Sequence, residues 1–207
     1  SVRFFLVLSL TLGWTTCSID FSNAFIQATL PEPIWVHLPR GFCSDRPGKT
    51  CLRLEKSVYG ILVAPRLWYE HLLKALLGLG LKPSAHDPCL LYKKNLLVIC
   101  YVDDLGLASP DMKHIDTFVT SLESQGFELT RESSFSEFLG IKLEQSKDKK
   151  KITLTQRGLI QKIINMVGLQ DCNPNWTPTI QTALGSDPEG LPMNETWGYP
   201  SVVGMLL

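Results

Sequence analysis

Apolar residues recur at every third or fourth position between Arg66 and Leu79. Trp68, Leu72, Ala75, Leu76 and Leu79 fall on one side, with Glu70, His71 and Lys74 on the other. That period predicts an amphipathic helix over 66–79. Pro65 suits its first turn, Gly78 and Gly80 suit its end, and Pro83 forbids continuation. Two other segments carry the same period. Ile115, Phe118, Val119 and Leu122 predict a helix opened by Pro110-Asp111 and stopped at Gly126, and Leu159, Ile160, Ile163, Ile164 and Val167 predict one over 156–167. The opening run 2–12 is apolar almost throughout and predicts a buried helix ending near Gly13. Its single leading charge, Arg3, also gives it the look of a signal-peptide core, although it is too short to span a bilayer.

Strand signals alternate with these helices. Residues 17–21, 89–93 and 96–108 read as strands, and Ile34-Trp35-Val36 as a short one between the prolines at 31, 33 and 39. Phe135 to Gln145 and Ile152-Thr153-Leu154 read as a hairpin, joined by a solvated turn that holds Lys147 and Lys149-Lys150-Lys151. From Asp171 onward Pro, Asn, Gly and Thr predict a loop or linker. The order is strand, helix, strand pair, helix, strand pair. It predicts an α+β fold with helices on one face of an antiparallel sheet, as in split βαβ folds.

One polar interruption stands out. Tyr101-Val102-Asp103-Asp104 lies inside the run from Leu96 to Ala108. Two ionised carboxylates in apolar surroundings are costly and repel each other. They are tolerated at a turn, when protonated, or when they hold a divalent cation. The run therefore reads as strand, tight turn, strand, with both carboxylates at the turn, where a hard cation such as Mg²⁺ would find oxygen ligands. Asp20 ends another apolar strand. In a split βαβ sheet it would face Asp103 and Asp104 across neighbouring strands. Three such carboxylates would suit two Mg²⁺ ions about 3.5–4 Å apart, the arrangement used for in-line phosphoryl displacement.

Composition changes this picture little. The chain has 207 residues, 44% of them hydrophobic, enough for one sizeable core and not a disordered segment. With 20 basic and 20 acidic residues it lacks the overall basic excess of many nucleic-acid binders, although a local groove can still be basic. The 6 cysteines form no C-x-x-C pair and no His cluster accompanies them, which points to a reducing compartment without zinc or a disulfide framework.

Several segments in fixed order resemble the reverse transcriptase domain of copia-type LTR retrotransposons. Ile19-Asp20-Phe21-Ser22-Asn23-Ala24-Phe25 resembles the first palm motif, and Leu38-Pro39-Arg40-Gly41-Phe42 the P-x-G-F segment after it. Cys51 to Gly60, with Ala64-Pro65-Arg66-Leu67-Trp68-Tyr69, resembles the second motif. Asp87-Pro88-Cys89-Leu90 and Tyr101-Val102-Asp103-Asp104 resemble the third, and Phe138-Leu139-Gly140-Ile141 the later primer-contact hairpin. The resemblance implies a right-hand polymerase palm over residues 1–170 with partial fingers and a thumb start, then a linker and the start of a connection segment over 171–207. It implies RNA-directed DNA synthesis with two Mg²⁺ ions (or Mn²⁺ in their place) on Asp20, Asp103 and Asp104. Phe25, Tyr59, Gly60 and Tyr101 would bind substrate. Phe25 is either the ring that excludes a 2′-hydroxyl or simple core packing. The partners implied are an RNA or DNA template with its primer, deoxynucleoside triphosphates, and the RNase H and integrase parts of a polyprotein, with no membrane. The location implied is cytoplasmic, in a virus-like particle, or nuclear.

The chain departs from that pattern in places. Ile61-Leu62-Val63 stands where the family carries a Lys-Gln pair before Ala64, and Ala28 replaces a Gly. A start at Ser1 and a finish within an apolar segment suggest a piece of a longer chain. Two rival readings follow: a catalytically inactive remnant of such an element, motivated by Leu62 and Val63, and a secreted or tethered protein, motivated by residues 2–12 alone.

Overall fold

The structure, a computed structural model, describes residues 1–42, 48–132, 135–176, 189–190 and 197–206. In chain order the elements are α1 (Val2–Thr11), β1 (Thr15–Phe21), α2 (Ala24–Gln27), β2 (Thr29–His37), β3 (Cys51–Lys56), α3 (Ala64–Gly78), β4 (Lys82–Pro83), β5 (Leu90–Lys93), β6 (Leu96–Tyr101), β7 (Asp104–Ser109), α4 (Met112–Ser124), β8 (Leu129–Glu132), β9 (Glu137–Phe138), β10 (Ile141–Gln145), β11 (Ile152–Thr155), α5 (Arg157–Val167) and α6 (Tyr199–Leu206). The chain divides into two compact units, Ser1–Leu154 and Thr155–Leu207.

In the first unit, six strands form one antiparallel sheet in the order β4-β5-β6-β7-β1-β8. Strand alternation gives it two apolar faces. Cys17, Ile19 and Phe21 of β1, Val98 and Cys100 of β6, and Leu105 and Leu107 of β7 point to one face. There they bury Trp68, Leu72 and Leu76 of α3 and Ile115, Phe118 and Leu122 of α4. Leu97, Ile99 and Ala108 point to the other face and meet Phe5 and Leu6 of α1, with Phe135, Phe138 and Leu143. The expectation that all helices cover one face therefore needs correction, because α1 packs on the opposite face. An apolar run shows that a helix is buried, not which side of a sheet buries it.

The amphipathic stripes fold as their period requires. Pro65 occupies the first turn of α3. Asp111 caps α4, its carboxylate accepting from the Lys113 N–H at 3.0 Å, and Gly126 follows the helix at φ +90°. Three strands had no sequence signal, among them the two-residue β4 at one edge of the main sheet. β3 pairs with β2 in a separate hairpin that takes in Pro31 and Pro33, with a register irregularity between Thr29 and Ile34, and β8 joins the main sheet as an edge strand. The expected hairpin after Phe135 is a three-stranded sheet, β11-β10-β9.

The second unit holds α5 and α6, which lie against each other; Val202 of α6 is buried, and α5 has no buried residue. The loop or linker expected from Asp171 falls largely outside the described residues.

Candidate active site

The register of β1 against β7 places the carboxylates. Ile19 pairs with Leu105 and Asp20 with Asp104, so residues 84 positions apart become direct neighbours. Tyr101, the last residue of β6, pairs with the same Asp104. Val102 and Asp103 form the connection, and the Phe21 N–H donates to the Asp103 carbonyl at 3.0 Å, tying the turn to β1. The two-residue turn requires a left-handed conformation, and Val102 adopts it at φ +54°. For a β-branched residue that geometry costs about 1–3 kcal/mol. The indole N–H of Trp68 in α3 donates to the Val102 carbonyl at 2.5 Å.

Asp20 is exposed, and Asp103 and Asp104 are half-buried. Burial raises the pKa of Asp104 above the ordinary carboxylate value, and the charges of Asp103, Asp20 and Glu132 add to it. Asp20 is raised by burial and then by Asp103 and Glu132. Glu132 is an addition that the sequence did not point to. It ends β8, opposite Ser18, whose hydroxyl donates to its carboxylate at 2.7 Å. A four-residue edge strand carries too little periodicity to be recognised, and Glu132 had no visible reason to be near Asp20.

Among the described residues no group of three His, Cys, Asp or Glu side chains is gathered closely enough to hold a metal ion. Asp103 lies in the turn, outside the strand register that pairs Asp20 with Asp104. The donor chemistry still fits a hard divalent cation. Carboxylate oxygens are its preferred ligands, and a cation would relieve the repulsion that raises Asp20 and Asp104.

Phe25 and Tyr59 form a second grouping. Their rings lie 4.5 Å apart at 50°. Phe25 sits on α2, one short turn beyond Asp20, and packs partly against the main core, while Tyr59 is 55% exposed. Gly60 follows at φ +95°, a conformation that favours glycine. Tyr101 is exposed beside the carboxylates. No described contact joins Tyr101 to the Phe25–Tyr59 pair; the segment from Asp20 to Phe25 connects the two groupings. Leu62 is 99% exposed and Val63 is exposed as well.

A mixed α/β domain in which an antiparallel sheet aligns a strand-end Asp with an Asp-Asp turn is the frame expected of a nucleotidyl-transferring polymerase. The chain belongs to the reverse transcriptase (RNA-dependent DNA polymerase) family, whose model matches residues 1–181. It is similar to the retrovirus-related Pol polyprotein from transposon RE1 of Arabidopsis thaliana, at 29% identity over 100% of this chain and 14% of that protein. The corresponding polyprotein from transposon TNT 1-94 of Nicotiana tabacum is 26% identical over 86% of this chain and 14% of its own length. The transposon Ty1-DR5 Gag-Pol polyprotein of Saccharomyces cerevisiae is 25% identical over 58% of this chain and 7% of its own length. The chain thus resembles the reverse transcriptase domain of copia-type Pol polyproteins and spans only a small part of those relatives.

Proposed function

We propose that this chain is the catalytic palm, with part of the fingers and the start of the thumb, of an RNA-directed DNA polymerase. Residues 1–170 would form the polymerase part and 171–207 a linker and the start of the next segment. The observation that carries the reading is the pairing of Asp20 with Asp104, with Asp103 tied beside them through the Phe21 N–H.

Asp20, Asp103 and Asp104 would hold two Mg²⁺ ions, or Mn²⁺ in their place. When bound, those ions lower the pKa of the primer 3′-hydroxyl and neutralise charge on the leaving pyrophosphate. The protein's own contribution is positional. The antiparallel register fixes Asp20 and Asp104 on rigid strands, and the turn presents Asp103 next to them. Phe25, supported by Tyr59, would lie under the sugar of the incoming deoxynucleotide and meet a 2′-hydroxyl sterically. Gly60 would allow close backbone approach to the nucleotide, and Tyr101 would flank the primer end. The template–primer and deoxynucleoside triphosphates are the partners, with RNase H and integrase on the same polyprotein. Its place of action would be a cytoplasmic virus-like particle or the nucleus.

Primer extension on an RNA template, by the polyprotein that carries this chain, tests the reading. Extension should require Mg²⁺ and vanish with Asp103→Asn; unchanged extension in that variant would reject it.

A second reading is an inactive remnant. It rests on the exposed Leu62 and Val63, apolar where the resemblance leads one to expect Lys and Gln. If the parent protein is inactive, Leu62→Lys with Val63→Gln should restore nothing in a decayed fold; recovery of extension would instead locate the defect at those two positions.

A further inference from the structure

We infer that Trp68 is a positioning residue for the Asp103–Asp104 turn, acting through the main chain of Val102. The inference rests on the reading of that turn as the metal-binding element, and it adds a residue whose position in the helix stripe suggests only core packing.

Three observations meet at this point. Val102 is β-branched and holds φ +54°, so its backbone must be retained by its surroundings. Its side chain is exposed and supplies no core anchor. Its carbonyl is instead taken by the indole N–H of Trp68, a residue 34 positions earlier and 1% exposed. The indole is itself fixed. It meets Phe21 edge-on at 5.0 Å between centroids and Phe127 at 6.0 Å. Phe21 is also the residue whose N–H donates to Asp103. The turn is therefore held at two successive carbonyls, Val102 by the α3 indole and Asp103 by the β1 main chain. The two clamps touch one another through the Trp68–Phe21 contact.

A buried indole needs a partner for its N–H, and most find one within the core or at its edge. Here the partner is the carbonyl of the peptide that leads into Asp103. Rotating the Val102–Asp103 peptide would change ψ of Val102 and φ of Asp103, which is not left-handed in the structure, and swing Asp103 relative to Asp20. Phe at position 68 would keep an aromatic ring against Phe21, lose the donor and leave a small cavity, for which Leu72→Ala is the packing control; the freed carbonyl, at an exposed residue, can turn to water.

The test uses Trp68→Phe, with Leu72→Ala as a control that weakens the same helix one turn away without reaching the turn. In the chain itself, NMR reads the one-bond Cα–Hα couplings of Val102 and Asp103, which report φ and ψ, and the exchange rate of the Trp68 indole proton. Slow indole exchange in the wild type, and a changed Asp103 coupling in Trp68→Phe but not in Leu72→Ala, are expected. Rapid indole exchange, or unchanged Val102 and Asp103 couplings in Trp68→Phe, would overturn the inference. In the polyprotein, Trp68→Phe should lower kcat by about ten- to a hundredfold, as small misplacements of reacting groups do, with KM for the nucleotide within about twofold. Leu72→Ala should lower Tm and leave kcat near its starting value. Equal kcat in Trp68→Phe and wild type would again overturn it. Asp103→Asn separates the two layers: if that variant still extends primers, the polymerase reading fails, while the Val102 and Asp103 couplings in Trp68→Phe continue to decide the role of Trp68.

Discussion

Asp20 and Asp104 are direct partners across the β1–β7 ladder, and each is held above the ordinary carboxylate pKa first by burial and then by the acidic groups around it. Two like charges opposite each other in a sheet oppose folding. A sheet selected for stability alone would not place them there.

The first prediction follows directly. Asp104→Asn should raise the thermal midpoint of the metal-free chain, by an amount of order 2 °C, because it removes a repelling charge from a half-buried position. The same variant should lose primer extension. Calorimetry with and without Mg²⁺ checks it. A lower midpoint would show that the carboxylate makes a stabilising contact instead.

Gly106 lies two residues beyond Asp104 and is required for space, not for conformation. A Cβ there would stand 2.8 Å from Ile99 Cγ2 and 3.0 Å from Phe135 Cζ. Gly106→Ala should therefore destabilise the fold by about 1–3 kcal/mol, the usual cost of overpacking. Phe135→Leu in the same chain should return part of the loss. Urea denaturation of the single and double variants measures both.

The Phe25–Tyr59 pair gives a test of nucleotide choice. Phe25→Ala should raise the efficiency of ribonucleotide incorporation relative to deoxyribonucleotide. Tyr59→Ala should do so more weakly, by removing the ring 4.5 Å away, and Tyr59→Phe should leave discrimination intact. If Phe25 is only core packing, Phe25→Ala will lower Tm without changing the ratio of kcat/KM for the two sugars.

A pH effect is expected at the turn between β10 and β11. The Asp148 carboxylate accepts from the Ser146 hydroxyl at 2.6 Å and from the Lys150 N–H at 3.2 Å. These bonds, the hydroxyl first, hold its pKa below the ordinary value of 3.8. The unfolded chain then binds the proton more readily, so the contribution of Asp148 is complete above that value and is lost as pH falls below it. Ser146→Ala should move the Asp148 midpoint upward in an NMR titration; no movement would place the cause elsewhere.

Much of this protein follows from local pattern. The stripe of Trp68, Leu72, Ala75 and Leu76 and that of Ile115, Phe118, Val119 and Leu122 are buried as their period requires, because a helix must cover its apolar side. The interruption at the carboxylates was legible as strand, turn, strand, since an apolar run tolerates paired carboxylates in few other places, although the turn is Val102–Asp103 and Asp104 already belongs to β7. Ordered motifs then pointed to the family. What sequence alone did not determine was everything that depends on partners distant in the chain. The register that sets Asp20 against Asp104 and not a neighbour, the edge strand that brings Glu132 near both, and the placement of α1 on the opposite face come from ladder pairing and from the packing of whole surfaces. The same is true of Trp68. Its period marks it as core, and only the tertiary structure turns its one polar atom toward the Val102 carbonyl, because a hydrogen-bond partner 34 residues away leaves no trace in local periodicity.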